Sequence, residues 1–285
     1  NEGVIEPSAV HRTFSAVDRV ACLPYDVFQR YSKLGLPVVA NCPEPMEPLD
    51  QLDIHRLMDW CQCRQVHPMQ YVPGSQLWAS MAEVSTLTAR DKAEAGQAGG
   101  PTSAAQTSGY NMKVTIESWA TGRELVLFDH PLESACPELA SKLRWPCFLP
   151  SCDLVGRSPF AGIQGQDPFW DHPSLFVQPK GSKCGVHVDG AGSQFIQMLL
   201  LGRKLWSFWP LDTPKQFELL KRSERLRLEV RAPESGSGFR RQIRHEQVFP
   251  EVLPETWRVD VEVEAGEMIL VPGGMPHMVT NLEDC

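Results

Sequence analysis

The chain has 285 residues, of which 42% are hydrophobic and 22% charged, with a formal net charge of −8. These are the proportions of a water-soluble globular fold of one or two domains, and no apolar run approaches the ~18 residues that a membrane-spanning helix needs. The acidic balance argues against a general nucleic-acid binder, because phosphate recognition needs clustered cations.

The opening residues, Asn1-Glu2-Gly3-Val4-Ile5-Glu6-Pro7, lack the character of a signal peptide and a starting Met, which leaves room for an upstream segment. Pro24 and Asp26 stand where a helix would start, and Val27, Phe28 and Tyr31 follow at helical spacing. Leu36 to Ala40 reads as a strand. Asp53 to Gln62 reads as a second helix with Ile54, Leu57, Met58 and Cys61 on one side, and Met69 to Pro73 as another strand. His55 and His67 have no partner at metal-ligand spacing.

Residues 89–109 are rich in Ala, Gly, Ser, Thr and Gln without apolar periodicity, and a mobile insertion is expected there. Pro137 to Leu143 reads as a short helix with Pro in its first turn. Trp145 to Asp171 reads as loop, where substrate contacts tend to lie. His130 and His172, each in an Asp-His-Pro context, read as turn residues.

From Pro173 the strands come in close succession, over 174–179, 184–189, 194–201, 203–209, 258–264, 267–271 and 277–282. Val259, Val261 and Val263 alternate with Asp260, Glu262 and Glu264, as in a half-buried strand. Between Lys215 and His245 nine Lys or Arg stand against four Glu, which reads as a solvated helix followed by the Ser235-Gly236-Ser237-Gly238 loop. Antiparallel strands at this density suggest a barrel or double-sheet jelly roll over 151–285, supported by a helix and strand region over 1–150. Nine cysteines, an odd count without a repeated C-x-x-C, point to reduced thiols; Cys61-Gln62-Cys63 and the pair Cys147 and Cys152 have no matching partner pair.

Chemistry concentrates in Ser182-Lys183-Cys184-Gly185-Val186-His187-Val188-Asp189-Gly190. On an extended strand alternate side chains share a face, so His187 and Asp189 point the same way. An imidazole and a carboxylate are two of the three ligands that hold non-haem Fe(II) with open positions. The Pro272-Gly273-Gly274-Met275-Pro276 loop delivers a third candidate, His277, to the start of another strand. Between them, in Gly202-Arg203-Lys204-Leu205-Trp206-Ser207-Phe208, Lys204 shares a face with Trp206 and Phe208. A lysine buried among aromatics is costly without an anion.

The run from Ser174-Leu175-Phe176 through Lys204 to His277 resembles the JmjC family of Fe(II)- and 2-oxoglutarate-dependent oxygenases, especially its protein-hydroxylase branch. That family's pattern is H-x-D, then G-x-K-x-W, then P-x-x-x-x-H, and all three elements stand here in order. The resemblance implies an α+β fold, mainly β: a double-stranded β-helix, or cupin-like jelly roll, with N-terminal helices. It implies Fe(II) held by His187, Asp189 and His277, O2 as co-reactant, and Lys204 pairing with the distal carboxylate of 2-oxoglutarate. Cys184 stands where relatives often carry Thr or Ser, and Gln197 where they often carry Asn, so both are expected at the cosubstrate. The chain stops at Cys285, at least one strand short of the usual family end.

The reaction expected is hydroxylation of a protein side chain, Lys or Arg, on a basic peptide drawn to the acidic surface. An N-methyl-lysine or -arginine demethylase is the near alternative, and a catalytically silent cupin-like binding module is the alternative of another class. Two His and one Asp also suit a zinc hydrolase, but that chemistry has no use for Lys204. No membrane partner and no direct nucleic-acid contact are expected. Fe(II) and reduced thiols suggest an intracellular setting, nuclear or cytoplasmic.

Overall fold

The computed structural model describes residues 14–44, 52–61, 66, 69–71, 78–80, 111–121, 125–146, 173–189, 194–210, 224–230, 242–248 and 257–285. Helix α1 (Tyr25–Leu34) begins after Pro24, carries Asp26 in its first turn and Lys33 in its last, and so complements its own dipole at both ends. It stops at Gly35, whose φ of 63° only glycine adopts freely. There the N–H of Gly35 donates to Ser32 O and that of Leu36 to Tyr31 O, which closes the last turn. Helix α2 (Ile54–Cys61) is capped by Asp53, whose Oδ1 accepts from the Arg56 N–H at 2.8 Å. Helix α3 (Met112–Ala120) is capped in the same way by Asn111. Two short helices follow, α4 (Leu132–Ala135) and α5 (Pro137–Lys142).

The strands are β1 (Asp18–Val20), β2 (Val38–Asn41), β3 (Met69–Tyr71), β4 (Trp78–Ser80), β5 (Leu125–Pro131), β6 (Ser174–Val177) and β7 (Lys183–Val188). They continue as β8 (Phe195–Met198), β9 (Arg203–Phe208), β10 (Glu224–Val230), β11 (Gln242–Val248), β12 (Val259–Glu264), β13 (Glu267–Val271) and β14 (His277–Asn281). Among the described residues they form a sheet in the order β1-β2-β13-β8, a six-stranded sheet β10-β11-β7-β14-β9-β12, and a third sheet β4-β3-β5-β6. The described residues are thus sheet-rich with few helices.

The two central strands of the first sheet, β2 and β13, are buried on both faces, which explains why they read as unbroken apolar runs. Val39, Ile269 and Val271 pack with Trp206, Phe208 and Val263 of the six-stranded sheet, so the two sheets face each other across one apolar core. Val38, Ala40, Met268 and Leu270 point the other way, onto Phe28 and Tyr31 of α1. The N-terminal segment therefore supplies both a strand and a covering helix to the sheet pair. A separate core joins α2 to α5 with β5 and β6 through Leu57, Ile116, Leu127, Leu132, Leu139 and Val177.

Two expectations are overturned. The basic segment contains no helix where it is described: β10 and β11 pair antiparallel from Glu224↔Val248 to Val230↔Gln242, and β11 continues the sheet beside β7. The reason is in the sequence, because Leu226, Leu228 and Val230 alternate with Arg225, Arg227 and Glu229 at the period of a strand, and the run of charge masked that alternation. The thiols are not all reduced either, since Cys61 and Cys136 form a disulfide across 75 residues. Packing of α2 against the α4–α5 junction brings them together, and local cysteine spacing carries no trace of it. Residues 89–109, Cys63, Cys147, Cys152, His67, His172 and most of the 145–171 stretch lie outside the described residues. Among the described residues no helix is long and apolar enough to cross a membrane.

Candidate metal centre

Strand β14 lies between β7 and β9 in the middle of the six-stranded sheet, and its register sets His277 directly opposite His187. Asp189 follows one residue past the end of β7. The three side chains converge: Asp189 Oδ1 lies 3.6 Å from His187 Nε2 and Oδ2 lies 3.7 Å from His277 Nε2. All three ligand atoms lie within 4.8 Å of one another. Two ligands each about 2.1 Å from one ion stand about 3 Å apart at a right angle, so a small closure of this trio would fit a single divalent cation. The contacts are too long for hydrogen bonds in their own right.

The outer ring nitrogens decide which atoms face inward. His187 Nδ1 donates to Gly185 O at 2.8 Å and His277 Nδ1 to Met275 O at 2.9 Å. With Nδ1 protonated and spent on a carbonyl, each Nε2 presents a lone pair to the space beside Asp189, the arrangement that orients metal-ligating histidines. Burial pushes the His277 imidazole down to about 3, helped by neighbouring His187 and opposed by the Met275 carbonyl, so it stays neutral and able to ligate. Burial pushes the Asp189 carboxyl above its ordinary range, and His187 draws it back. His277 is walled by aromatic rings, with Trp206 at 5.7 Å, Phe195 at 6.1 Å and Phe208 at 6.3 Å between centroids, and the His187 ring at 4.3 Å.

Strict alternation would set Cys184, three positions before His187, on the opposite face. The β7–β14 register shows why it does not: His277↔His187 and Val279↔Cys184 match two steps on β14 to three on β7. This bulge inserts one residue and turns Cys184 back to the histidine side, with its Sγ 3.6 Å from His187 Nδ1. Gln197 belongs to β8, where Phe195 and Leu199 pack into the core between the sheets while Ile196 and Met198 pack toward α1. Alternation therefore turns Gln197 to the inner face.

Lys204 is only 3% exposed. Its Nζ donates to Gln178 Oε1 at 3.4 Å, and among the described residues no carboxylate stands within ion-pair distance. Burial pulls its ammonium below the ordinary lysine value, with the nearby thiols of Cys285 and Cys184 opposing. On the same face of β9, the Trp206 indole Nε1 is buried without a hydrogen-bond partner among the described residues. Sequence reasoning missed the polar residues around Lys204. Gln178, Ser182 and Asn281 are all buried, and Asn281 is the cross-strand partner of Lys204. Isolated buried polar residues have no period to betray them; only the position of Asn281 on the His277 strand offered a clue.

No protein-family model matches the chain. It is similar to proteins called 2-oxoglutarate and iron-dependent oxygenase JMJD4. The Gallus gallus protein is 31% identical over 115 residues, 40% of this chain and 24% of that protein. The Mus musculus protein is 27% identical over 123 residues, 41% of this chain and 26% of that protein. The acireductone dioxygenase of Geobacillus thermodenitrificans is 38% identical over 89 residues, 29% of this chain and 45% of that protein. The chain thus matches about a quarter of the length of the curated JMJD4 relatives.

Proposed function

We propose that this chain, a JmjC relative of the 2-oxoglutarate and iron-dependent oxygenases, is itself such a dioxygenase and hydroxylates a protein side chain, Lys or Arg, within a basic peptide. On this reading the two facing sheets are the halves of a cupin-like double-stranded β-helix. The observation that carries it is Lys204, a buried amine without an acidic partner among the described residues, on the strand beside the one that bears His277. A metal hydrolase built on the same trio would have no use for such a group, whereas a dicarboxylate cosubstrate supplies its missing anion.

His187 Nε2, the Asp189 carboxylate and His277 Nε2 would hold Fe(II), and the chemistry of two neutral imidazoles and one carboxylate fits that ion. Iron, 2-oxoglutarate and O2 together supply an oxidant that turns a substrate C–H into C–OH while 2-oxoglutarate leaves as succinate and CO2. The Lys204 ammonium would take the far carboxylate and fix the cosubstrate's direction. Trp206, Phe208 and Phe195 keep the His277 side dry, which strengthens charge pairing there. Cys184 and Gln197, on the inner face, would complete the cosubstrate's surroundings. The chain's formal net charge of −8 suits a basic peptide.

The test is mass spectrometry of a basic peptide library incubated with the protein, Fe(II), 2-oxoglutarate and ascorbate. Gain of one oxygen is expected; loss of methyl groups with formaldehyde release would replace the hydroxylase by a demethylase. Metal binding without 2-oxoglutarate turnover would leave a binding module. Fe(II) fits an intracellular setting, nuclear or cytoplasmic, while the Cys61–Cys136 bridge calls for an oxidising one, and thiol counting on protein from its native source separates the two.

A further inference from the structure

Four buried polar side chains meet at the Lys204 end of the site: Gln178, Ser182, Lys204 and Asn281, none more than 6% exposed. Their hydrogen bonds have one consistent direction. Ser182 Oγ donates to Pro179 O at 2.7 Å, so it accepts from Asn281 Nδ2, also at 2.7 Å. Asn281 Nδ2 reaches Gln178 Oε1 as well, at 3.1 Å, and its backbone is fixed to Ser182 O and the Gly181 N–H. Gln178 is tied through its own backbone, donating to Cys285 O at 2.7 Å and accepting from the Cys285 N–H at 2.9 Å. The Gln178 amide therefore has no freedom to flip: its oxygen receives Asn281 from one side and the Lys204 ammonium from the other, at 3.4 Å.

We propose that Gln178 is the positioning residue for Lys204: a neutral acceptor, locked by Asn281, that takes one ammonium N–H and directs the remaining donors at an incoming carboxylate. This rests on the 2-oxoglutarate reading above for the ligand, but not for the geometry. A neutral amide is suited to the task, because it orients the amine without cancelling its charge, whereas a carboxylate at the same point would neutralise the ammonium and weaken its hold on an anionic ligand.

The test compares Gln178→Glu and Gln178→Met with the unaltered chain, all loaded with Mn(II) as an inert metal. Calorimetric titration with 2-oxoglutarate is expected to show about a tenfold or greater rise in Kd for Gln178→Glu and a smaller rise for Gln178→Met. Metal content should be unchanged and the Gln178→Glu melting temperature not lowered. In turnover the loss should fall on the KM for 2-oxoglutarate with kcat retained. Binding by Gln178→Glu equal to that of the unaltered chain overturns the proposal, as does an equal loss in metal, KM and kcat, which is what general loosening of the fold produces. If the unaltered chain itself fails to bind 2-oxoglutarate, the functional reading fails, and the crystal structure of Gln178→Met then decides the positioning claim. Lys204 Nζ displaced by about 1 Å or more supports it, and an unmoved Nζ overturns it.

Discussion

The two ends of the interior site are polar opposites. At the metal end three acceptor groups of the described residues converge, since both imidazole N–H groups are spent on the carbonyls of Gly185 and Met275. At the Lys204 end donors are in surplus among the described residues, one ammonium against a single amide oxygen that it must share with Asn281. The first arrangement lacks a cation and the second an anion. A bound metal and a dicarboxylate that bridges from it to Lys204 would satisfy both ends.

The sharpest way to break that comparison is to delete an acceptor. His187→Ala or Asp189→Ala should lower metal affinity by about a hundredfold or more, beyond what second-layer changes cause, and abolish 2-oxoglutarate turnover. Metal content after dialysis checks this; an unchanged content would locate the metal elsewhere.

Removing the donor should act on the other ligand and on stability. Lys204→Met leaves metal binding intact and weakens 2-oxoglutarate binding by about a hundredfold. The unliganded protein should be unharmed or stabilised, by about 1–4 kcal/mol, because an unpaired buried charge is replaced by an apolar chain of similar length. The pH dependence gives a second check. The folded-state pKa of Lys204 is depressed, so between that value and the ordinary ~10.4 the unfolded state binds more protons, and stability rises with pH. Equivalently, that contribution is lost as pH falls through the folded value. The half-buried thiol of Cys42, pushed up to about 12, and the buried thiol of Cys285 act in the reverse sense at high pH; the difference between the unaltered chain and Lys204→Met cancels Cys42 and reads the lysine together with its charge coupling to Cys285. Parallel stability curves for the two would mean that Lys204 is solvated.

A third measurement asks whether either end depends on the helical layer. Cys136→Ala removes the link between α2 and the α4–α5 junction and should cost about 2–4 kcal/mol in stability. Metal and 2-oxoglutarate affinities should change by less than about twofold under folded conditions, since neither site residue nor partner belongs to that core. A large loss of affinity would make the helices part of the site.

Regular alternation makes much of this arrangement legible in the sequence. It turns His187 and Asp189 to one side, sets Lys204 with Trp206 and Phe208, and marks Val259, Val261 and Val263 as one face of a strand. It fails where regularity fails. The bulge in β7 reverses the face of Cys184, and no local pattern in Ser182-Lys183-Cys184-Gly185 announces an extra residue. Net charge hid the period-two leucines of β10. The Cys61–Cys136 bridge and the Gln178–Asn281 lock join residues 75 and 103 positions apart, contacts that only the assembled sheets and helices create.

The smallest expected effect falls on the bulge, where the two ends of the site come nearest in sequence. Cys184 Sγ is a second, longer neighbour of the His187 Nδ1 that Gly185 O already occupies. Sulfur is a weak acceptor, so the carbonyl wins and the imidazole keeps its inward Nε2. A hydroxyl at the same place would accept more strongly and compete for that proton, tilting the ring away from Gly185. Cys184→Ser should therefore shift metal affinity by less than about tenfold, the lower range for a change beyond the ligands themselves. Its effect on 2-oxoglutarate should be favourable, because a hydroxyl near Lys204 donates to a carboxylate more strongly than the weak thiol it replaces. Paired titrations of metal and then 2-oxoglutarate resolve the two contributions. A Cys184→Ser protein that loses metal outright would show that the thiol, not the Gly185 carbonyl, holds His187 in place.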